Sequence, residues 1–344
     1  MTDIAIRTDG RAGRITLTRP RALNALTHQM CLDIEAALLR WRDDDAVALV
    51  VIDAEGEKAF CAGGDIAQVQ AAGKAGDYSL GRDFWRDEYR MNALLSSYPK
   101  PIFSFMQGFV MGGGVGLGCH VGHRVIGDTT QMAMPECGIG LIPDVGGTLL
   151  LSAAPGHLGE YLGLTGARMG AGDTIAAGFA DHWLAEADWR QVIAALCASG
   201  DPAALPRHAP PAPTLPRAEI DATFGADTVP DIIAAVTEAG GDFADAALRA
   251  LGRGAPLSMA CTLRMLRAQR GDSDIRNALR REFRFTWRSM DKGDFIEGVR
   301  AQIIDKDRAP RWQHASADAV SEAEVAAMLA SLGADELDFG EDAA

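Results

Sequence analysis

A chain of 344 residues, 48% hydrophobic and 23% charged, has an ordinary globular composition and the length for one large domain or for a core with a smaller second unit. Its net charge of −14 and pI near 4.9 exclude nucleic acid or an anionic membrane as the main partner of its surface, so an anionic small ligand would need local basic residues. Six cysteines (Cys31, Cys61, Cys119, Cys137, Cys197, Cys261) without a CxxC pair point to reduced, buried thiols and away from a zinc ribbon or a disulfide framework.

The opening MTDIAIRTDGRAG has neither an apolar signal core nor an Arg/Ser-rich amphipathic pattern. No apolar run reaches membrane-spanning length, and a cytoplasmic protein with no membrane partner is the expectation. Strand signals at 14–17 and in the β-branched run 47–52 bracket Met30, Ile34, Leu38 and Trp41, which recur at helical spacing behind Thr27, a residue suited to cap a helix. A second round follows. Residues 102–106 read as a buried strand, GGGVGLG as a loop entering a helix and 124–126 as the next strand, and 131–134 leads into Pro135 and Glu136. Strand and helix alternation with glycine at the strand ends predicts an α/β core that binds ligands at its strand-to-helix connections.

Six prolines between Pro202 and Pro216 rule out helix or central strand there. The expected organisation is therefore a core at 1–201, a Pro-rich linker at 202–220 and a helical C-terminal region at 221–344. Helical patterns fall at 229–239, 242–251, 257–269, 275–290 and 321–332, and the acidic tail 335–344 is expected to fray.

The chemistry concentrates in three glycine clusters: FCAGGD around Gly64, MGGGVG around Gly113, and MPECGIGLIPDVGGT, which sets Glu136 and Asp144 around a Gly/Pro-rich turn. Carboxylates can act as base, acid or nucleophile, and glycine lets a backbone N–H approach a substrate oxygen without an intervening Cβ. Other constellations fail on spacing. No GxSxG elbow occurs, GGGVGLGC does not fit GxGxxG, and no P-loop lysine follows. Cys119, His120 and His123 form only a lone HxxH beside a cysteine, which reads as side chains packed in the core or hydrated at the surface, and no metal or redox cofactor is expected.

The order LNAL (23–26), AFCAGGD (59–65), GFVMGGGVGLG (108–118) and MPECGIGLIPDVGGT (134–148) resembles the crotonase, or enoyl-CoA hydratase/isomerase, superfamily. The resemblance implies a spiral of ββα turns, an acyl-CoA thioester as substrate, and two backbone N–H groups, on Gly64 and Gly113, forming an oxyanion hole. It also implies a homo-oligomer, trimer or hexamer. In that superfamily hydratases carry one glutamate shortly after the GGG run and another in the PE dipeptide; here Gly116 stands at the first position and Glu136 at the second. Asp144 in PDVGG, FWRDEY (84–89) and DFIEGVRAQIIDKDRAPRW (294–312) resemble the branch that hydrolyses 3-hydroxyisobutyryl-CoA in valine catabolism.

By that resemblance Glu136 attacks the thioester carbon or activates water, and Asp144 and Glu88 bind the substrate hydroxyl. Asp65 is expected to cap the next helix. Arg19, Arg21, Arg284, Arg288 and Lys292 are candidate contacts for the CoA phosphates, and Phe60, Ile66, Leu141 and Ile142 are pocket walls or core.

Overall fold

In the computed structural model, which describes residues 3–340, the chain alternates between two sheets. It begins with an antiparallel hairpin, β1 (Ile4–Asp9) and β2 (Ala12–Leu17). β1 leaves little apolar signature in the sequence because it is an edge strand whose residues after Ile4 stay half-buried or exposed. Then α1 (His28–Arg42) starts where the Thr27 side chain accepts the Met30 N–H, and it buries Met30, Ile34, Leu38 and Trp41, the spacing expected of it.

From there the chain repeats one unit. A long strand is followed by a short one and a helical return: β3 (Leu49–Ala54), β4 (Ala59–Cys61), α2 (Ala67–Lys74) and α3 (Ser79–Ser96). The next round is β5 (Ile102–Met106), β6 (Phe109–Met111) and α4 (Gly113–Cys119). A third has β7 (His123–Ile126), β8 (Gln131–Ala133), a 3-10 turn at Glu136–Ile139, then α5 (Gly147–Ala153), α6 (Leu158–Thr165) and α7 (Ala171–Ala176). It closes on β9 (His182–Trp183) and α8 (Glu186–Ser199). The long strands build one sheet, β1-β2-β3-β5-β7-β9, and the short strands a parallel second one, β4-β6-β8. Successive ββα rounds thus stack as a spiral. The consequence for function is geometric: parallel β4, β6 and β8 end side by side, so the segments that leave them (62–65, Gly112 with Gly113, and Pro135 with Glu136) emerge at one edge.

The Pro-rich stretch contains a 3-10 turn at Pro202–Ala204 and neither helix nor strand from 205 to 216. Thr214 and Leu215 are tied to Asp173 of α7, and α9 (Arg217–Thr223) already begins within the expected linker. Beyond it come α10 (Val229–Ala239), α11 (Gly241–Leu251), α12 (Pro256–Gln269), α13 (Ile275–Ser289), α14 (Phe295–Val299) and α15 (Glu322–Leu329). α13 lies against both α3 and α5, and Phe283, Phe285 and Phe295 join the apolar cluster that also holds Ile15, Trp41 and Tyr89. All six cysteines are free and buried.

The tail departs from expectation. Leu337 and Phe339 are buried, Glu336 pairs with Arg284 at 2.7 Å, and Arg280 lies over the Phe339 ring. Acidic composition concealed two apolar side chains that dock along α13, so residues 335–340 are ordered by packing; 341–344 lie outside the described residues.

Candidate active site

The LNAL segment acts on Gly64. Asn24 donates from its amide to the carbonyls of Glu55 and Ala59, both at 2.9 Å, and accepts the Arg19 N–H, which fixes the turn. Leu26 then brackets Gly64 as in a parallel ladder: its N–H donates to Gly63 O at 2.9 Å and its carbonyl accepts the Asp65 N–H at 2.7 Å. In such a bridge the middle residue's own N–H points the other way. Gly113, the first residue of α4, has an amide outside the helical ladder. Neither N–H finds an acceptor among the described residues.

The glycines permit close approach. A Cβ on Gly113 would lie 3.4 Å from the Gly64 nitrogen and 2.6 Å from Glu88 Oε1, so the two amides are neighbours and a carboxylate occupies the remaining space. Gly112 sits at φ +49, a conformation that other residues rarely take, and its Cβ position is 2.9 Å from Glu136 Oε1.

Around these amides stand four buried carboxylates. Glu136 opens the 3-10 turn after Pro135, and its Oε2 has no partner. Glu88 comes from α3, with Oε1 unpartnered. The next residue, Tyr89, donates its hydroxyl to Asp144 Oδ2 at 2.6 Å. Glu282, from α13, accepts the Gly146 N–H at 2.8 Å on one oxygen, and on the other the Thr148 N–H at 2.9 Å and the Thr148 hydroxyl.

Burial pushes Glu136 and Glu88 well above the ordinary carboxylate range, and the nearby Asp144 charge adds to this. Asp144 is raised to about 7 by burial, against the pull of its Tyr89 hydrogen bond. Glu282 is likewise raised to about 7 by burial, against its bonds to Thr148 and Gly146. No cation figures among the causes for any of the four, so near neutral pH this cluster shares protons.

The turn that carries Asp144 is strained and clamped. Val145 has φ +54, unusual for a β-branched residue. His120 Nε2 meets its carbonyl at 2.8 Å, and burial lowers that imidazole to about 4, so it is neutral and donates this bond. Glu282 holds the N–H groups of Gly146 and Thr148, just beyond Val145 in the chain.

Gly64, Gly113, Glu88, Glu136 and Asp144 therefore converge. Other expectations are corrected. Asp65 does not cap α2, whose N-cap is Ile66 without a side-chain bond; it pairs with Arg19 at 2.8 Å. Arg284 is engaged by Glu336 and Arg288 by carbonyls of the 328–331 segment, so both hold the C-terminal tail. Arg21 and Lys292 are exposed. Phe60, Leu141 and Ile142 are core, and Ile66 is half-buried beside Gly64. His123 stacks on Phe103 with ring centroids 4.2 Å apart, away from the His120 bond to the Asp144 turn. The sequence reading missed Glu282, the clamping role of His120, and the Tyr89 bond to Asp144. A signal for Glu282 existed: it sits on the stripe Ala278, Leu279, Phe283 and Thr286, a carboxylate on an apolar helix face.

The enoyl-CoA hydratase/isomerase family model matches residues 12–329. A Gallus gallus protein named 3-hydroxyisobutyryl-CoA hydrolase, mitochondrial, is 35% identical, covering 97% of this chain and 90% of its own length. The Homo sapiens protein of the same name is also 35% identical, covering 98% and 91%. Among solved structures, one described as an enoyl-CoA hydratase from Rhodobacter sphaeroides superposes with a TM-score of 0.96 at 56% identity, over 98% of this chain and 100% of that one. Another, described as a carnitinyl-CoA dehydratase from Mycobacterium thermoresistibile, gives 0.93 at 41% identity, over 99% and 100%.

Proposed function

Because the chain belongs to the enoyl-CoA hydratase/isomerase family, we propose that it hydrolyses an acyl-CoA thioester, 3-hydroxyisobutyryl-CoA, to 3-hydroxyisobutyrate and CoA. In this reading the thioester oxygen accepts from the N–H groups of Gly64 and Gly113, where fixed dipoles stabilise the charge that moves onto it as the carbonyl carbon is attacked. Glu136 supplies the attack by one of two routes. Its carboxylate adds to the carbon and expels the CoA thiolate, leaving an anhydride that water then cleaves; or it takes a proton from water as that water adds. Both routes need the ionised form of Glu136; burial makes that form the stronger base while making it the rarer one. Glu88 and Asp144 bind the hydroxyl of the acyl group.

The observation that carries hydrolysis over hydration lies at Gly116. A Cβ there would be 2.7 Å from the Val145 Cβ and 2.9 Å from Asn92 Nδ2, so the place where hydratases carry their first glutamate is filled by other side chains. The curated relatives named as hydrolases support the same reading. The Rhodobacter relative is described as a hydratase, which keeps hydration as the rival reading. A trimeric or hexameric assembly and a cytoplasmic address belong to the proposal on family resemblance and composition.

The test uses two substrates. With 3-hydroxyisobutyryl-CoA the protein should release free thiol, and with crotonyl-CoA the enoyl absorbance should persist. Glu136→Gln should lower thiol release by roughly 10²–10⁴-fold, the size of a lost general base. Rapid loss of enoyl absorbance without thiol would replace hydrolysis by hydration.

A further inference from the structure

Asn92 is fully buried in α3, yet neither its Nδ2 nor its Oδ1 has a hydrogen-bond partner. A primary amide can donate twice and accept twice, and leaving such a group dry and unpaired in a protein interior is costly. Native structures rarely keep such a group without an occupant to satisfy it.

Its location indicates the occupant. Asn92 follows Glu88 by one helical turn, so both project from the same face of α3 toward α4. Glu88 Oε1 lies against Gly113, and Asn92 Nδ2 against Gly116, one turn further along α4. Val145, next to Asp144, meets the same point above Gly116 from the other side. Glu136 thus lies against Gly112, Glu88 against Gly113 and Asn92 against Gly116, and each carries an unpartnered polar atom along the one stretch of backbone that holds an oxyanion amide.

On the hydrolase reading above, we propose that Asn92 is a third recognition group for the β-hydroxyl of the acyl chain, acting with Glu88 and Asp144, and so determines specificity. A hydroxyl both donates and accepts. An oxygen of Glu88 or Asp144 can accept the hydroxyl's hydrogen bond, and an amide N–H can donate to its lone pair. With no partner from the protein, the Asn92 amide can present either end. Because it is neutral, it adds no charge to a pocket already crowded with carboxylates. The glycine at 116 then has a purpose: any side chain there would displace the amide.

The experiment measures kcat/KM by thiol release for 3-hydroxyisobutyryl-CoA and isobutyryl-CoA with wild type, Asn92→Leu and Asn92→Ser, with Tm recorded for each. Leucine keeps the volume and removes the polar ends, while serine restores a short donor and acceptor with room for a bridging water. Asn92→Leu should lower kcat/KM for the hydroxylated substrate about 10–100-fold and leave the deoxy substrate within roughly threefold, with partial recovery in Asn92→Ser. Equal losses on both substrates in folded protein would mean that Asn92 serves the attacking water or the scaffold, and would overturn the inference. Unchanged discrimination would overturn it too. If Asn92→Leu does not fold, discrimination in Asn92→Ser decides: a lower ratio supports the role and a wild-type ratio refutes it. Failure of the hydrolase reading would look different, as wild type releasing thiol from neither substrate.

Discussion

Glu282→Gln tests whether the helical C-terminal region takes part in the site. The substitution keeps length and volume but leaves one oxygen where the carboxylate has two. One oxygen now serves Gly146, and the other serves both the amide and the hydroxyl of Thr148. Glutamine must turn an NH2 toward one of these buried donors. A hydrogen bond to a charged group contributes about 1.5–3 kcal/mol, and the donor left facing a donor adds to the loss. Relief of the burial penalty on Glu282 works the other way, so global stability should fall by less, a Tm drop of a few degrees. The local effect should be larger because Val145 is held at φ +54 by this clamp, at a backbone cost of about 1–3 kcal/mol. Once loosened, the turn can relax and carry Asp144 with it. If about 1.5–3 kcal/mol of transition-state binding is lost, kcat/KM for 3-hydroxyisobutyryl-CoA drops roughly 10–150-fold. Isobutyryl-CoA, with no hydroxyl for Asp144 to hold, should lose less. Steady-state thiol release on both substrates reads this directly. Wild-type kcat/KM in Glu282→Gln, or equal losses on both substrates, would refute the argument that Glu282 works through the Asp144 turn.

Two further outcomes are expected. Asp144 and Glu282, both raised to about 7, hold protons in the native state that the unfolded chain has already released. Native protein then binds more protons than unfolded protein from about pH 4 to 7, so their contribution to stability is complete below that window and is lost as pH rises through it. Urea unfolding should give a lower free energy at pH 8 than at pH 5.5, with a smaller difference in Asp144→Asn; a flat or rising profile in wild type would contradict the assignment. Gly116→Glu, which would restore the hydratase pattern on paper, should reduce Tm and give no crotonyl-CoA hydration, since Val145 and Asn92 fill the space. A gain of hydration would show that the space can open.

What the sequence disclosed about the site was its locally written part. Glycines that admit a substrate oxygen, a PE dipeptide and a PD turn carry their meaning within a few residues, and the ββα spiral brings those segments to one sheet edge. Groups that act across the fold were harder to read. Glu282 lies in RREFRFTWRS, where charge is dense, and only its place on the apolar stripe of α13 distinguishes it from a solvated residue. Arg284 and Arg288 look like free cations in sequence, but tertiary packing commits them to the tail. Asp65 sits where a cap would be expected, but the Arg19 guanidinium claims its carboxylate. In each case the partner is distant in the chain, and nearby residues give no hint of it.

The cluster of Glu88, Glu136, Asp144 and Glu282, assembled with no cation among the groups that shift them, also governs how the product leaves once the thioester bond is cleaved. The substrate's acyl group enters uncharged, whereas the acid formed from it brings one more carboxyl into a site where burial already disfavours the ionised form of four others. Turnover by the proposed reaction thus carries its own release step: the product acid can ionise at little cost only in water, so the site that receives a neutral hydroxyacyl group holds its anion poorly, which disfavours product inhibition and the reverse synthesis. The same penalty screens the entrance, because an acyl-CoA ending in a free carboxylate would meet it before any bond had broken.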